Sequence, residues 1–345
     1  MRPLSTLRAV LTLRAVLPPL LALGLPLFGP APIAHAQTAA PIVNAEMDLD
    51  LRSRVAAVGK SGSRLQSAAL RLRTDLTPDV HLKFNISHQY GAVGVQEAAL
   101  EKEWGGTAGR AQAGLVRVPF GIYDTRETYA SGLIDYPMPR GDYAYHSVDW
   151  GAPGVAWTGG PAGLQVEAAA FGGRGSGIWS NQARLRGAAV RAQTYVGNTS
   201  LGTAIVGLSR WDGGLQDTNT SATVLPVHLT GLDLRYTRPQ LLIRGEYLWG
   251  TLAGDHMRGW YVDTYYRLPG QERWGLAARL ENLKPGDDYA EGRQLTLGVR
   301  CIATPDWTLA MNWRRNNGPG YGAFWTPSAS KGGDVYFQAY HRVKW

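Results

Sequence analysis

Segments of about ten residues in which apolar and polar side chains alternate with a period of two recur along most of this chain, and this pattern constrains its fold most. "VHLKFNISHQY" puts Val80, Leu82, Phe84, Ile86, His88 and Tyr90 on one face and His81, Lys83, Asn85, Ser87 and Gln89 on the other. "QLLIRGEYLWG" opposes Leu241, Ile243, Tyr247 and Trp249 to Arg244 and Glu246, although Leu242 and Leu248 blur the split. The same alternation runs through "RWGLAARLENL", "QLTLGVRCI" and "DWTLAMNWRRN". Turn clusters drawing on 43 Gly and 20 Pro separate the segments. A period of two is a strand signature, so the fold class is all-β.

The first forty residues are different. Arg2, Arg8 and Arg14 form a basic region without acids, a Leu-rich run extends from about Ala15 to Phe28, and Ala34, His35 and Ala36 form a small-residue cleavage site. Pro18, Pro19, Pro26 and Pro30 interrupt the apolar run, which argues against a spanning anchor. Residues 1–36 are therefore expected to be a cleaved signal peptide, with a barrel domain over 37–345. Without Arg2, Arg8 and Arg14 the formal net charge falls from +8 to +5, an excess that selects no partner by itself. A single cysteine, Cys301, rules out an internal disulfide and any multi-cysteine zinc site.

Two features favour a membrane barrel over a soluble sandwich. Tyr (16) and Trp (12) outnumber Phe (6), and Trp249, Tyr261, Trp274, Trp307 and Trp313 sit near strand ends, where amphipathic rings form interfacial girdles. From Trp211 onward the links alternate in length, running "WDGGLQDTNTSATVLP", "TRPQ", "GTLAGDH", "LPGQER", "KPGDDYAEGR", "ATPD" and "RNNGPGYGAFWTPSASKGG". Short turns at one rim and long loops at the other are the habit of outer-membrane barrels. Candidate strands from about Met47 to Trp345 number about sixteen, with fourteen to eighteen open. The expected fold is a transmembrane antiparallel β-barrel whose closing strand, "DVYFQAYHRVKW", pairs with the first and ends in Trp345 at the periplasmic interface.

In this register Arg71, Arg73, Lys83, Arg117, Arg235, Arg244, Arg279, Arg300, Arg314 and Arg342 point inward, with Glu97, Glu101, Glu103, Asp233, Glu246 and Glu281. Asp233 with Arg235, Arg244 with Glu246 and Arg279 with Glu281 neutralise each other along a strand. Arg117, Arg300, Arg314 and Arg342 have no acid beside them on their own strands, which argues for a weak anion preference in a pore. After Pro119 about thirty residues follow before alternation resumes near Gly154, and a run of that length is usually functional. Residues 119–153, which carry Arg126 and Arg140, are a candidate constriction loop; the other reading is an ordinary external loop.

The runs "VRVPFGIYDTRE", "GWYVDTYYRL", "LTLGVRCIATPDWTLAMNWRRN" and "VYFQAYHRVKW" resemble general bacterial porins related to the phosphate-selective porin O and P group. The resemblance is clearest over 114–120 and from Gly259 onward. It implies a sixteen-strand barrel in the bacterial outer membrane, often a homotrimer, surrounded by outer-membrane lipids and passing small anionic or polar solutes. It also implies that the barrel assembly machinery reads the terminal aromatic of the last strand. No hydrolase motif, phosphate-binding loop or metal-ligand spacing accompanies the histidines, so no catalytic residue, cofactor, metal or nucleic acid is expected. A barrel enzyme, or an adhesive or structural barrel with a closed lumen, is the alternative.

Overall fold

The computed structural model describes residues 43–55, 62–89, 92–122, 132–134, 136–140, 151–174, 183–199, 202–217, 224–318 and 333–344. The expected signal peptide and Trp345 lie outside the described residues. The strands are β1 (Val43–Val55), β2 (Gly62–Thr77), β3 (Val80–Gln89), β4 (Ala92–Gly105), β5 (Gly109–Arg117), β6 (Gly151–Gly159), β7 (Leu164–Arg174) and β8 (Ala183–Thr199). They continue as β9 (Gly202–Asp217), β10 (Leu225–Thr237), β11 (Leu241–Leu252), β12 (Asp255–Arg267), β13 (Trp274–Lys284), β14 (Gly292–Ile302), β15 (Trp307–Asn317) and β16 (Gly333–Lys344). Each pairs antiparallel with its neighbours in sequence, and β16 returns to β1 with Leu49 opposite His341 and Leu51 opposite Ala339. The result is a closed sixteen-strand transmembrane barrel, as the alternation predicts.

Closure gives every strand two hydrogen-bonded neighbours, the condition for crossing a bilayer without an unsatisfied edge. The outside is apolar. Leu232, Leu276, Leu309 and Phe337 are 48%, 47%, 44% and 42% exposed, and such half-exposed apolar combs suit lipid rather than water. Their strand neighbours Asp233, Ala277, Ala310 and Tyr336 face inward and are buried.

The start of β1 and the end of β16 lie at one rim, where Glu46 is opposite Lys344. Links at that rim are short, whereas residues 118–150 and 318–332 bridge strands at the other. From Trp211 onward the length alternation has one reversal. The β11–β12 link at the long-loop rim is only Ala253 and Gly254, and the β12–β13 link at the short-turn rim spans residues 268–273. Ala253 (φ 56°) and Gly254 (φ 98°) both take left-handed backbone, which makes a tight hairpin matched to strand twist. The apparent length of "GTLAGDH" came from residues that belong to the two strands.

Candidate channel lining and inner segment

Beyond β5, Pro119 lacks a ladder donor; residues 151–153 of the expected loop belong to β6, and the described residues between Pro119 and Arg140 lie against the inward side of β9 to β15. The Gly121 amide donates to Ser209 Oγ at 2.9 Å. Gly121 has φ 68°, and a Cβ there would stand 1.7 Å from Glu246 Oε1, so this approach requires glycine. Ile134 N donates to Asn312 Oδ1 at 2.8 Å, while Asn312 Nδ2 returns a bond to Gly132 O at 2.8 Å. Met138 N donates to the Glu281 carboxylate. Arg140 Nη2 donates to Phe120 O at 2.8 Å, its Nε lies 3.8 Å from Glu246 Oε2, and its guanidinium sits 5.6 Å from the Phe120 ring centre. Four strand side chains, Ser209, Asn312, Glu281 and Glu246, thereby hold the segment at several points along the wall.

An apolar seat supplements these polar ties. Phe120 and Met138 pack in one buried cluster with Leu229, Leu248, Leu252, Met257 and Leu283, all inward-facing wall residues. Leu229, Leu248 and Leu283 are fully buried. Leu248, which blurs the alternation of its strand, is thus an inward residue lying beneath the inner segment. Burying such side chains contributes roughly 1.5–3 kcal/mol each relative to exposure.

Around this seat runs a ladder of charge. Arg191 Nη2 donates to Asp233 Oδ1 at 2.8 Å, linking β8 to β10. Arg244 and Arg279 share Asp263, with Arg244 Nη2 2.8 Å from Oδ2 and Arg279 Nε 2.6 Å from Oδ1, so one β12 carboxylate ties three strands. Tyr261 OH donates to Glu246 Oε2 at 3.1 Å. Farther round, Arg300 Nη1 donates to Tyr265 OH at 3.2 Å, and the Arg314 guanidinium lies 4.4 Å from the Tyr336 ring centre. Arg342 Nε reaches Asp48 Oδ1 at 2.8 Å across the closing seam. On β1 to β5, Arg71 pairs with Glu46 at 3.1 Å and with Asp48, and Lys83 pairs with Glu101 at 2.6 Å. Arg73 lies 3.7 Å from both Asp75 and Glu103.

Of the sequence-predicted lining, Arg71, Arg73, Lys83, Arg279, Arg300 and Arg314 share the inward parity, and Arg235 stands opposite Arg244. Arg140 is buried in the inner segment. Arg126 lies outside the described residues. Arg117 departs from the expectation: Gln112 faces Glu101 across β4 and β5 and Val116 is buried, which puts exposed Arg117 on the outward parity at the strand end. "GRAQAGLVR" is rich in Gly and Ala, so its alternation is too weak to set the register. Arg314 and Arg342 indeed have no acid beside them on their own strands, but adjacent strands bring one to each. Asp334 stands opposite Arg314 on β16, and Asp48 on β1 meets Arg342. Arg52, Arg191 and Asp263 were missed, although their inward position follows from the same period of two once a neighbour fixes the register.

Neither a family model nor a curated protein sequence matches the chain. Solved structures do. An anion-selective porin from Comamonas acidovorans aligns over 88% of this chain and 100% of its own, at 13% identity and a TM-score of 0.60. OmpF of Salmonella typhi aligns over 87% and 97%, at 11% identity and a TM-score of 0.62. The fold is that of the outer-membrane porins. OmpT of Vibrio cholerae, an outer membrane protein described in a trimer form, aligns over 89% and 100%, at 14% identity and a TM-score of 0.58. At these identities the porin likeness concerns architecture alone.

Proposed function

We propose that the protein is a diffusion porin of a bacterial outer membrane, a water-filled channel for small polar solutes with a weak anion preference, narrowed by residues 119–153. One observation carries this reading: a strand-connecting segment lies against the charged inner wall of a closed barrel whose outside is apolar. The anion preference draws support from Arg300, which among the described residues bonds a tyrosine and no acid, beside the inner segment at Gly132. Acids interspersed along the rest of the lining argue for general permeability over the phosphate selectivity of the porin O and P group. Export by the 1–36 signal peptide, assembly through the last strand and a homotrimeric state complete the proposal.

The reversal potential of the purified barrel in a planar bilayer under a KCl gradient tests it. A modest shift toward the chloride potential, reduced in Arg300→Gln, is expected. A shift toward the potassium potential would remove the anion preference, and absence of conductance would favour a closed lumen.

A further inference from the structure

The outward combs of β12 to β15, whose middles are mostly apolar, carry Arg258, Lys284, Arg293 and Arg315 at the long-loop rim, beside the polar His256, Asn282 and Asn317. Arg258 stands directly opposite Lys284, and like charges in direct cross-strand register are unfavourable unless an anion lies between them. Arg315 is opposite Leu295, and Arg293 is opposite both Asn282 and Asn317. Among the described residues, no ion pair within 4.0 Å involves Arg258, Lys284 or Arg315. The local acids are partly engaged: Glu291 lies 3.3 Å from Arg293 Nη2 and accepts from Asn282, and Asp287 accepts from His256 N at 3.2 Å in the turn beyond.

Shape adds a second observation. Arg293, Arg315 and Asn317 border an outward hollow of about 350 Å³ on β13 to β15 that also includes Leu280 and Leu295. Trp260 and Trp313 continue the outward face toward mid-barrel. The other rim is built differently. There the same strands end outward on Tyr266, Trp274, Cys301 and Trp307, Arg267 closes β12 on the inward parity, and Arg238 and Arg273 occupy turns.

We infer that this rim of β12 to β15 binds phosphate-bearing lipid headgroups of the leaflet it meets, with the acyl chains lying on the apolar combs below. Guanidinium forks match phosphate oxygens bidentately, and a fixed row of cations at headgroup depth gains from a clustered anion. The inference rests on the membrane-barrel reading, and it needs no particular solute or conductance.

The test titrates detergent-folded barrel with a diphosphorylated glycolipid and reads bound adducts by native mass spectrometry. The variant Arg258→Gln/Lys284→Gln/Arg293→Gln/Arg315→Gln should bind at least about tenfold more weakly. Wild-type protein should bind the dephosphorylated glycolipid equally weakly, and Arg238→Gln/Arg273→Gln should bind like wild type. Conductance of the quadruple variant should be unchanged, so failure of the lipid site and failure of the channel are separable. Equal binding by the quadruple variant, equal binding of the dephosphorylated lipid, or displacement by inorganic phosphate at the lipid's own concentration would overturn the inference. Should the quadruple variant fail to form a heat-resistant barrel, Lys284→Gln and Arg315→Gln are read singly. A loss of about threefold in each is expected, and unaltered affinity in both would overturn it.

Discussion

The wall of β9 to β13 under the inner segment and the short-turn rim of β2 to β4 are built by the same alternation, yet they bury their charges to different extents. On the inward faces that also carry Leu248 and Leu283, Arg244, Asp263 and Arg279 are 0–2% exposed at their side chains. On the β2–β4 side, Arg73, Asp75 and Glu103 are 42%, 38% and 42% exposed in looser pairs. Burial is not confined to the sector under the inner segment, since Asp50, Arg52 and Glu101 on β1 and β4 are buried as well. Under the segment the inward wall is closer to a protein core, where an ion pair cannot lose a partner cheaply. At the β2–β4 rim, water screens the same residue types.

The sharpest way to break this contrast is Asp263→Ala, which leaves two buried guanidiniums without their shared carboxylate. It should cost about 3–5 kcal/mol in reversible unfolding of the barrel in detergent and raise the chloride preference. A loss no larger than that of an exposed pair would show that the sector is wet. Leu248→Ala removes the apolar seat beneath Phe120 and Met138 and should cost about 3 kcal/mol, with noisier single-channel currents as the segment loosens. Arg73→Gln, on the opposite wall, should change unfolding by less than about 1 kcal/mol. The smallest effect is expected at Asp79, in the β2–β3 turn, whose carboxyl is held below its ordinary range by hydrogen bonds from Lys102 and Thr77. A lowered carboxyl contributes above its ordinary range and loses that contribution as pH falls through the folded value. Because Asp79 is exposed, Asp79→Asn should leave the unfolding midpoint at neutral pH unchanged within error.

Strand number, face and closure were legible because a bilayer-crossing barrel repeats one simple pattern, and the segments around Leu276, Leu297 and Met311 carry it without ambiguity. The partners of the lumen arginines were not. A strand read alone shows its neighbours at i±2, whereas Asp48 and Asp334 reach Arg342 and Arg314 from the adjacent strand, a relation set by register. Arg117 was misplaced where Gly and Ala dilute the alternation. The inner segment did leave a trace. Leu248 breaks the polar face of its strand, and Leu229 and Leu283 extend the same apolar set, which makes sense only if something apolar covers them from inside. Gly121 was silent, since its role depends on the nearness of Glu246 in space.

The most direct test of this account is single-channel conductance in a planar bilayer, comparing wild-type protein with a variant in which residues 122–141 are replaced by a short Gly-Ser link. The variant loses Ile134, Met138 and Arg140, and with them the ties to Asn312, Glu281 and Glu246. If the inner segment narrows a conducting lumen, wild-type channels open in discrete steps and the variant opens in clearly larger ones. Steps of equal size in both proteins would contradict that claim.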